Sequence, residues 1–389
     1  MTEQQLPEGW QMVKFGDIAE HLSKRINPVV GDEAKYIGLE HLDSGSLVVE
    51  RWGSSVPLKG QKLAIRKGDI LFAKRNAYLK RVAIAPFDGI FSAHGMVIRP
   101  IGNLVIPEFL PIFMQSKEFM DRAIAISEGS LSPTIKWKTL ALQSFIFPSI
   151  ELQIKIVDNQ RAVQRLIDAN YELLKSAKKL LVSQIINTFR PSKDWTSYRL
   201  SELCEVKGGR QRNPENTTGL RPYKYLRPAN IKRGEWRLDD VKDMDFSEDE
   251  LKIYSLTPGD ILLVEGGEAE DVGDPAFWED NISETVCFQN TLIRLRAKKN
   301  KISSKNLFWL MTFLHKSGTF RAIAAGTKIK HIGTKNTSML SVKMPKDISS
   351  LDKSINALEI TRANIFALDA KLISVKSLYH SMLAEQLKE

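Results

Sequence analysis

Apolar residues fall into two patterns along this chain, and the patterns alternate twice. Short runs dense in aliphatic residues, such as DILFAK, RVAIAP and MVIRP, fill the first part, and DILLVE and TLIRLR return later. Turn signals at Lys67-Gly68-Asp69 and Pro258-Gly259-Asp260 bound them, so they read as strands. Helical spacing takes over around 107–125 and 303–324. The globular parts are therefore expected to be of mixed α/β (α+β) class.

Two long stretches keep helical spacing throughout. In residues 351–389, Leu358, Ile365, Leu372 and Tyr379 share one heptad position, and Thr361, Leu368, Val375 and Met382 share the position three further on. Residues 154–189 carry a broader stripe: Val163, Leu166, Ile167, Asn170, Leu173, Leu174, Ala177, Leu180, Leu181 and Ile185. Neither stretch contains Pro or Gly, and Arg190-Pro191-Ser192 closes the first. At about 1.5 Å per residue each helix would run roughly 50–60 Å, too long to lie on one small domain. Two surface helices on their own domains are the plainer alternative. The lengths favour pairing with each other or with another chain. Pairing as a rod with a domain at each end would have to be antiparallel.

The alternation reflects an internal duplication. Trp10, Lys14, Phe15, Asp17, Ile18 and Glu20 fall on Trp195, Arg199, Leu200, Glu202, Leu203 and Glu205, always 185 residues on. Further matches keep the same order. YIGLEHL at Tyr36 faces YLRPANI at Tyr225, KGDILFAK at Lys67 faces PGDILLVE at Pro258, and SAHGMVIR at Ser92 faces CFQNTLIR at Cys287. RAIA recurs at Arg122 and Arg321, and Gly129 to Pro148 faces Gly326 to Pro345. The offset drifts as short loop insertions would make it. The expected layout is a first domain over 1–150, a helix over 151–192, a second domain over 193–347 and a second helix over 348–389.

Charge narrows the partner. The 389 residues hold 56 Lys+Arg against 46 Asp+Glu, a net charge of +10 shared by both halves, which points first to nucleic acid. No apolar run approaches the roughly 18 residues that span a bilayer. MTEQQLPEGW does not read as a secretory signal. Two cysteines, Cys204 and Cys287, make no disulfide framework, so a cytoplasmic location is expected.

Catalytic constellations are missing from the pattern: no phosphate-binding GxxxxGK[ST], no GxSxG, no HExxH, no Asn-Pro-Pro-aromatic run. Asp69 with Lys74 could suggest a metal-dependent nuclease, but the second copy puts Glu265 where Lys74 stands, so Asp69 and Asp260 read as turn-capping residues. Gly266-Gly267 with Glu268, Glu270 and Asp271 reads as a solvated acidic loop.

The polar positions that differ between copies are the candidate DNA contacts, because Arg, Lys, Asn and Gln in loops grip phosphate and read base edges. In the first copy these are Lys74, Arg75, Asn76, Lys80, Arg81, His94, Lys136 and Lys138. In the second they are Arg210, Arg212, Arg227, Asn230, Lys232, Gln289 and Asn290, followed by Lys328, Lys330, His331 and Lys335 in the late loop. No metal or catalytic residue is expected.

Across essentially its whole length the chain resembles the specificity subunit of a Type I restriction-modification system. The resemblance rests on LPEGW (6–10), KFGDI (14–18), GDIL (68–71 and 259–262) and the segments from Gly129 and Gly326 to Pro148 and Pro345. The family's proline pair before a Glu-Gln helix start is blurred here to PSIELQ (148–153) and PKDISSLDK (345–353), which weakens any transfer of subunit-contacting residues. The resemblance implies two target recognition domains, each followed by a long helix, the helices pairing antiparallel. It implies a non-catalytic DNA-reading subunit in a phage-defence system, docking two modification (methyltransferase) subunits, with restriction subunits in the full complex. S-adenosylmethionine, ATP and Mg would then serve the partners. Two diverged copies could read two unrelated half-sites of a bipartite target, unlike the identical halves of a homodimer. A stand-alone nuclease and a coiled-coil scaffold without DNA contact are the alternatives.

Overall fold

A computed structural model describes residues 9–213, 218–327 and 329–386. The chain forms two compact units: residues up to 172 together with those from 369 onward, and residues 173–368.

In the first unit, four antiparallel strands run in the order Ala19–Leu22, Met96–Pro100, Ile70–Phe72, Val82–Ile84. A second sheet carries the parallel pair Tyr36–Ile37 with Gly89–Phe91. Gln11–Lys14 pairs with Ser144–Phe147 as a separate ribbon. The helices Phe109–Met114 and Lys117–Ala125 close a core rich in phenylalanine, including Phe15, Phe72, Phe113, Phe119 and Phe145.

The second unit repeats this order with Cys204–Gly208, Leu292–Ala297, Ile261–Val264 and Pro275–Phe277. The parallel pair returns as Pro222–Leu226 with Val286–Phe288, and the ribbon as Thr196–Arg199 with Ser341–Met344. The second sheets differ at their edges. Lys62–Ile65 flanks Gly89–Phe91 in the first unit, whereas Lys242–Asp245 flanks Pro222–Leu226 in the second. The parallel pair is thus extended on opposite sides, and in the first unit Arg25–Ile26 continues the sheet beyond Lys62–Ile65.

The ladders correct one correspondence drawn from sequence. Glu20 lies opposite Arg99, and Glu205 lies opposite Arg296, so Arg99 corresponds to Arg296 and not to Arg294. Likewise Ser92 N donates to Ile37 O and Gln289 N to Leu226 O, each at 3.0 Å. Gln289 therefore takes the place of Ser92, and His94 that of Thr291. The slip is two residues because TLIRLR offers both Ile293-Arg294 and Leu295-Arg296, and strand side chains repeat every two residues.

Both long helices form, over Ile150–Phe189 (40 residues) and Asp352–Gln386 (35 residues). Ser149 opens the first, its Oγ accepting from Leu152 N. Gln153 then anchors it: fully buried, it accepts from Ile106 N and donates to Leu104 O and Pro148 O. Asp347 caps the turn that leads into the second helix. That helix is tied down by Asn306 donating to Asp352 and by Trp309 Nε1 donating to Glu359.

On the second helix, Leu358, Leu372 and Val375 are buried and Thr361, Ile365, Leu368, Tyr379 and Met382 are half-buried, which is the heptad seam. The stripe on the first helix is narrower than expected. Val163, Ile167, Asn170, Leu174, Ala177, Leu181 and Ile185 are sheltered, but Leu166, Leu173 and Leu180 are 44%, 54% and 53% exposed. A helix shelters about one residue in three and a half along a seam, so the remaining apolar row faces out. In the second unit, Ile185 and Phe189 from the end of the first helix and Ile355 and Leu358 from the start of the second enter one core. Among the described residues no helix is long and apolar enough to cross a membrane.

Candidate nucleic-acid interface

In both domains the segment after GDIL is stitched to the late loop by backbone hydrogen bonds. Ile135 N donates to Lys74 O at 3.0 Å, and Ile332 N donates to Glu265 O at 3.1 Å. Lys74 and Glu265 thus occupy one position of the shared fold. The late loop closes on itself identically too, Glu128 with Thr134 in one copy and Ala325 with His331 in the other. Each loop starts from a left-handed glycine, Gly129 at φ 110° and Gly326 at φ 115°. A Cβ on Gly326 would collide with Ile329 O, so the turn needs glycine.

The first domain gathers positive charge here. Asn76 N donates to Pro133 O, and Arg75 Nη2 reaches Ser132 Oγ at 3.0 Å. Lys74 is half-buried, and burial followed by nearby Arg25 lowers its pKa. Burial, then Arg75, Lys74 and Lys62, lowers the pKa of exposed His94. Among the described residues neither Lys74 nor Arg75 has a carboxylate in ion-pair range. Concentrated like charge without counter-charge lowers stability, and an incoming phosphate would relieve it.

The other first-copy candidates are placed differently. Lys136 is paired with Glu128 at 2.6 Å, and Lys138 is exposed on the short helix Trp137–Ala141. Lys80 lies 4.0 Å from Asp121, and Arg81 donates to Leu39 O. Asn76 takes a left-handed backbone conformation with its Oδ1 buried and unpartnered.

In the second domain some candidate cations already have partners. Arg210 binds Glu250 and the Asp245 carbonyl and stacks 5.1 Å over Phe246. Arg227 binds Asp240. Asn230 requires correction as a DNA contact. It is 1% exposed, accepts from Arg227 N and donates to Arg237 O and Asp240 O, so its amide is consumed in holding the chain. His41 does the same work in the first copy, accepting from Gly38 N.

Lys232 is exposed on a two-strand hairpin whose turn, Arg233-Gly234, is held by Gly234 N donating to Asp274 Oδ2. Asn290, Arg212 and Lys335 are exposed, and Gln289 is half-buried beside Arg210. Lys330 donates to Gly326 O, and Lys328 lies outside the described residues.

Of the stretch read as a solvated acidic loop, Gly266-Gly267 is a strand paired with Lys330–His331, while Glu268, Glu270 and Asp271 are exposed in the turn that follows it. Beside that strand, His331 Nδ1 lies 2.9 Å from Glu265 Oε2. Glu265 is a functional candidate that the sequence alone does not single out. Its signal was the charge reversal against Lys74 at an aligned position.

Asp69 and Asp260 do cap their turns, accepting from Arg66 N at 2.7 Å and Thr257 N at 2.8 Å. Each also binds an arginine, so neither is available to a metal. Among the described residues no group of three His, Cys, Asp or Glu side chains is placed to hold a metal ion.

Two copies of one mixed fold, each with a polar loop cluster at the same place and each followed by a long helix, define a tandem-repeat protein. The chain belongs to the family of the Type I restriction modification DNA specificity domain, whose model matches residues 7–179 and again 192–365. It is 26% identical over 244 residues to the specificity subunit of Type I restriction enzyme HindI of Haemophilus influenzae, covering 57% of this chain and 52% of that protein. The EcoKI specificity subunit of Escherichia coli is 23% identical over 56% of this chain and 50% of that protein. This chain thus spans about half the length of those two relatives. Its fold is similar to that of a chain from a type I R-M system complex, with TM-score 0.66, 18% identity and 98% of both chains covered. It is also similar to the HsdS subunit of Thermoanaerobacter tengcongensis, with TM-score 0.54 and 20% identity over 100% of this chain and 99% of that one.

Proposed function

We propose that this chain selects the DNA sequence for a Type I restriction-modification complex and leaves catalysis to partner subunits. The observation that carries the reading is the divergence of one site on two copies of one fold. Lys74, Arg75 and His94 stand where Glu265, Gly266 and Thr291 stand, on matching backbone hydrogen bonds. Scaffolds kept alike with loop chemistry made unlike suit two readers of different half-sites. The first domain grips phosphate with Lys74 and Arg75, and exposed Lys138 extends that surface. Exposed Arg212, Lys232, Asn290 and Lys335 serve the second.

The two long helices pair antiparallel as a spacer in this reading. Support comes from inside the second unit, where the end of one helix and the start of the other share a core. Leu166, Leu173 and Leu180, seven residues apart on the outer face, are the surface we assign to a modification subunit. S-adenosylmethionine, ATP and Mg belong to the partners. A reducing cytoplasm suits two free buried thiols, Cys204 and Cys287, whose pKa burial pushes up to about 12.

The test is a gel shift of duplex DNA by the full chain with its modification subunits across a salt series. K74A and R75A should each reduce the log–log salt slope by about one. Affinity independent of salt, unchanged in both variants, would remove DNA from the reading.

A further inference from the structure

Glu265 is an acid at the position where the first domain carries a phosphate-gripping lysine. A carboxylate can only accept hydrogen bonds, and the oxygens of the DNA backbone also only accept. Glu265 therefore cannot take over the work of Lys74. The donors that a duplex offers in its major groove are the exocyclic amines of cytosine and adenine.

Local geometry presents this acid as a fixed acceptor. Its backbone is held on both sides, Glu265 N donating to Thr291 O at 2.9 Å and Glu265 O accepting from Ile332 N at 3.1 Å. Its side chain is only 17% exposed, with Oε2 2.9 Å from His331 Nδ1. A Cβ on Gly266 would stand 2.4 Å from that imidazole nitrogen, so glycine is what lets the ring reach Glu265. In the turn just before Leu292–Ala297, the Thr291 Oγ1 hydroxyl is buried with no partner. Oε1 is left without a hydrogen bond among the described residues.

We infer that Glu265 is a specificity-determining residue of the second domain, its carboxylate accepting a hydrogen bond from a cytosine amino group while His331 holds it in place. The inference rests on the DNA-reading proposal and goes beyond it by assigning one acceptor and one base. Glutamate pairs with cytosine N4, whereas glutamine pairs with adenine through N6 and N7.

The experiment uses the full chain with its modification subunits and a randomised double-stranded DNA library, sequencing the bound fraction. Wild type should enrich a bipartite motif with cytosine at one position of one half-site. E265A should relax that position by roughly 5- to 150-fold and leave the other half-site intact. E265Q, which keeps the size of the side chain and an acceptor for His331, should move the preference from cytosine toward adenine. K74A should weaken binding without changing any letter. If E265A and E265Q both keep every letter, Glu265 is not a reader and the inference falls while the DNA reading stands. If E265A relaxes the position but E265Q leaves cytosine preferred, Glu265 acts only by holding His331, and the inference falls again. A wild type that enriches no sequence overturns the DNA reading itself.

Discussion

Arg296 grips Asp260 with two hydrogen bonds, from Nε and Nη2, each 2.7 Å long, on a carboxylate that is 1% exposed. Arg99 meets Asp69 in the same way in the first domain, at 2.5 and 3.1 Å. A buried acid that also caps a turn is costly to leave alone. R296M should cost about 2–4 kcal/mol, below the full loss of a buried pair because Arg296 is a third exposed. Urea denaturation of the full chain measures this. Magnesium should change neither the melting of the chain nor the integrity of added DNA, because both carboxylates are engaged.

His94 provides a pH signature for the first domain alone. Burial and the nearby Arg75, Lys74 and Lys62 hold its pKa below the ordinary histidine value. A bound phosphate favours the charged imidazole, so DNA binding should take up a proton. Affinity should therefore rise as pH falls from about 8 to about 6, and H94Q should flatten that slope. The sign for stability is opposite. The unfolded state binds this proton more readily than the folded one, so the contribution of His94 to stability falls as pH drops below the ordinary histidine range. Titrated binding isotherms and pH-dependent melts separate the two.

The outward row on the first helix can be tested by co-purification. Replacing Leu166, Leu173 and Leu180 together by Ser should cost about 2–4 kcal/mol and leave the chain folded, since each is about half exposed. It should abolish recovery of the modification subunit. A complex that still forms places the docking surface elsewhere.

If the helices are the ruler, lengthening them should lengthen the unread spacer. Inserting seven residues after Lys175 and seven after Leu368 preserves the heptads and adds about 10 Å, close to three base-pair rises. Methylome mapping should show a spacer longer by about three base pairs between unchanged half-sites. An unchanged spacer, or half-sites with new letters, would show that the rod does not set the distance.

Much of the architecture is legible in the sequence. Duplication could be read because the matches between Trp10 and Pro148 recur in order between Trp195 and Pro345. The second helix could be read because a heptad needs only local periodicity, and Leu358, Leu372 and Val375 are buried as that periodicity requires. Capping by Asp69 and Asp260 was legible from turn chemistry within four residues. The first helix was read too broadly, because leucine at Leu166, Leu173 and Leu180 satisfies a helical stripe whether or not anything covers it.

Sequence by itself determined what is local or repeated: two domains of one mixed class, two uninterrupted helices, a positive balance and no catalytic motif. Tertiary structure decided what depends on partners distant in the chain. It set Arg99 against Asp69 and Arg296 against Asp260, which resolved a two-residue slip that strand alternation hides. It withdrew Asn230 from the surface by giving its amide three backbone partners. It also turned Gly266-Gly267 from apparent loop into strand and brought His331 onto Glu265 across 66 residues of chain. The physical reason is the same each time: the free energy of a polar side chain is set by the groups that surround it after folding, and those groups are not its neighbours in sequence.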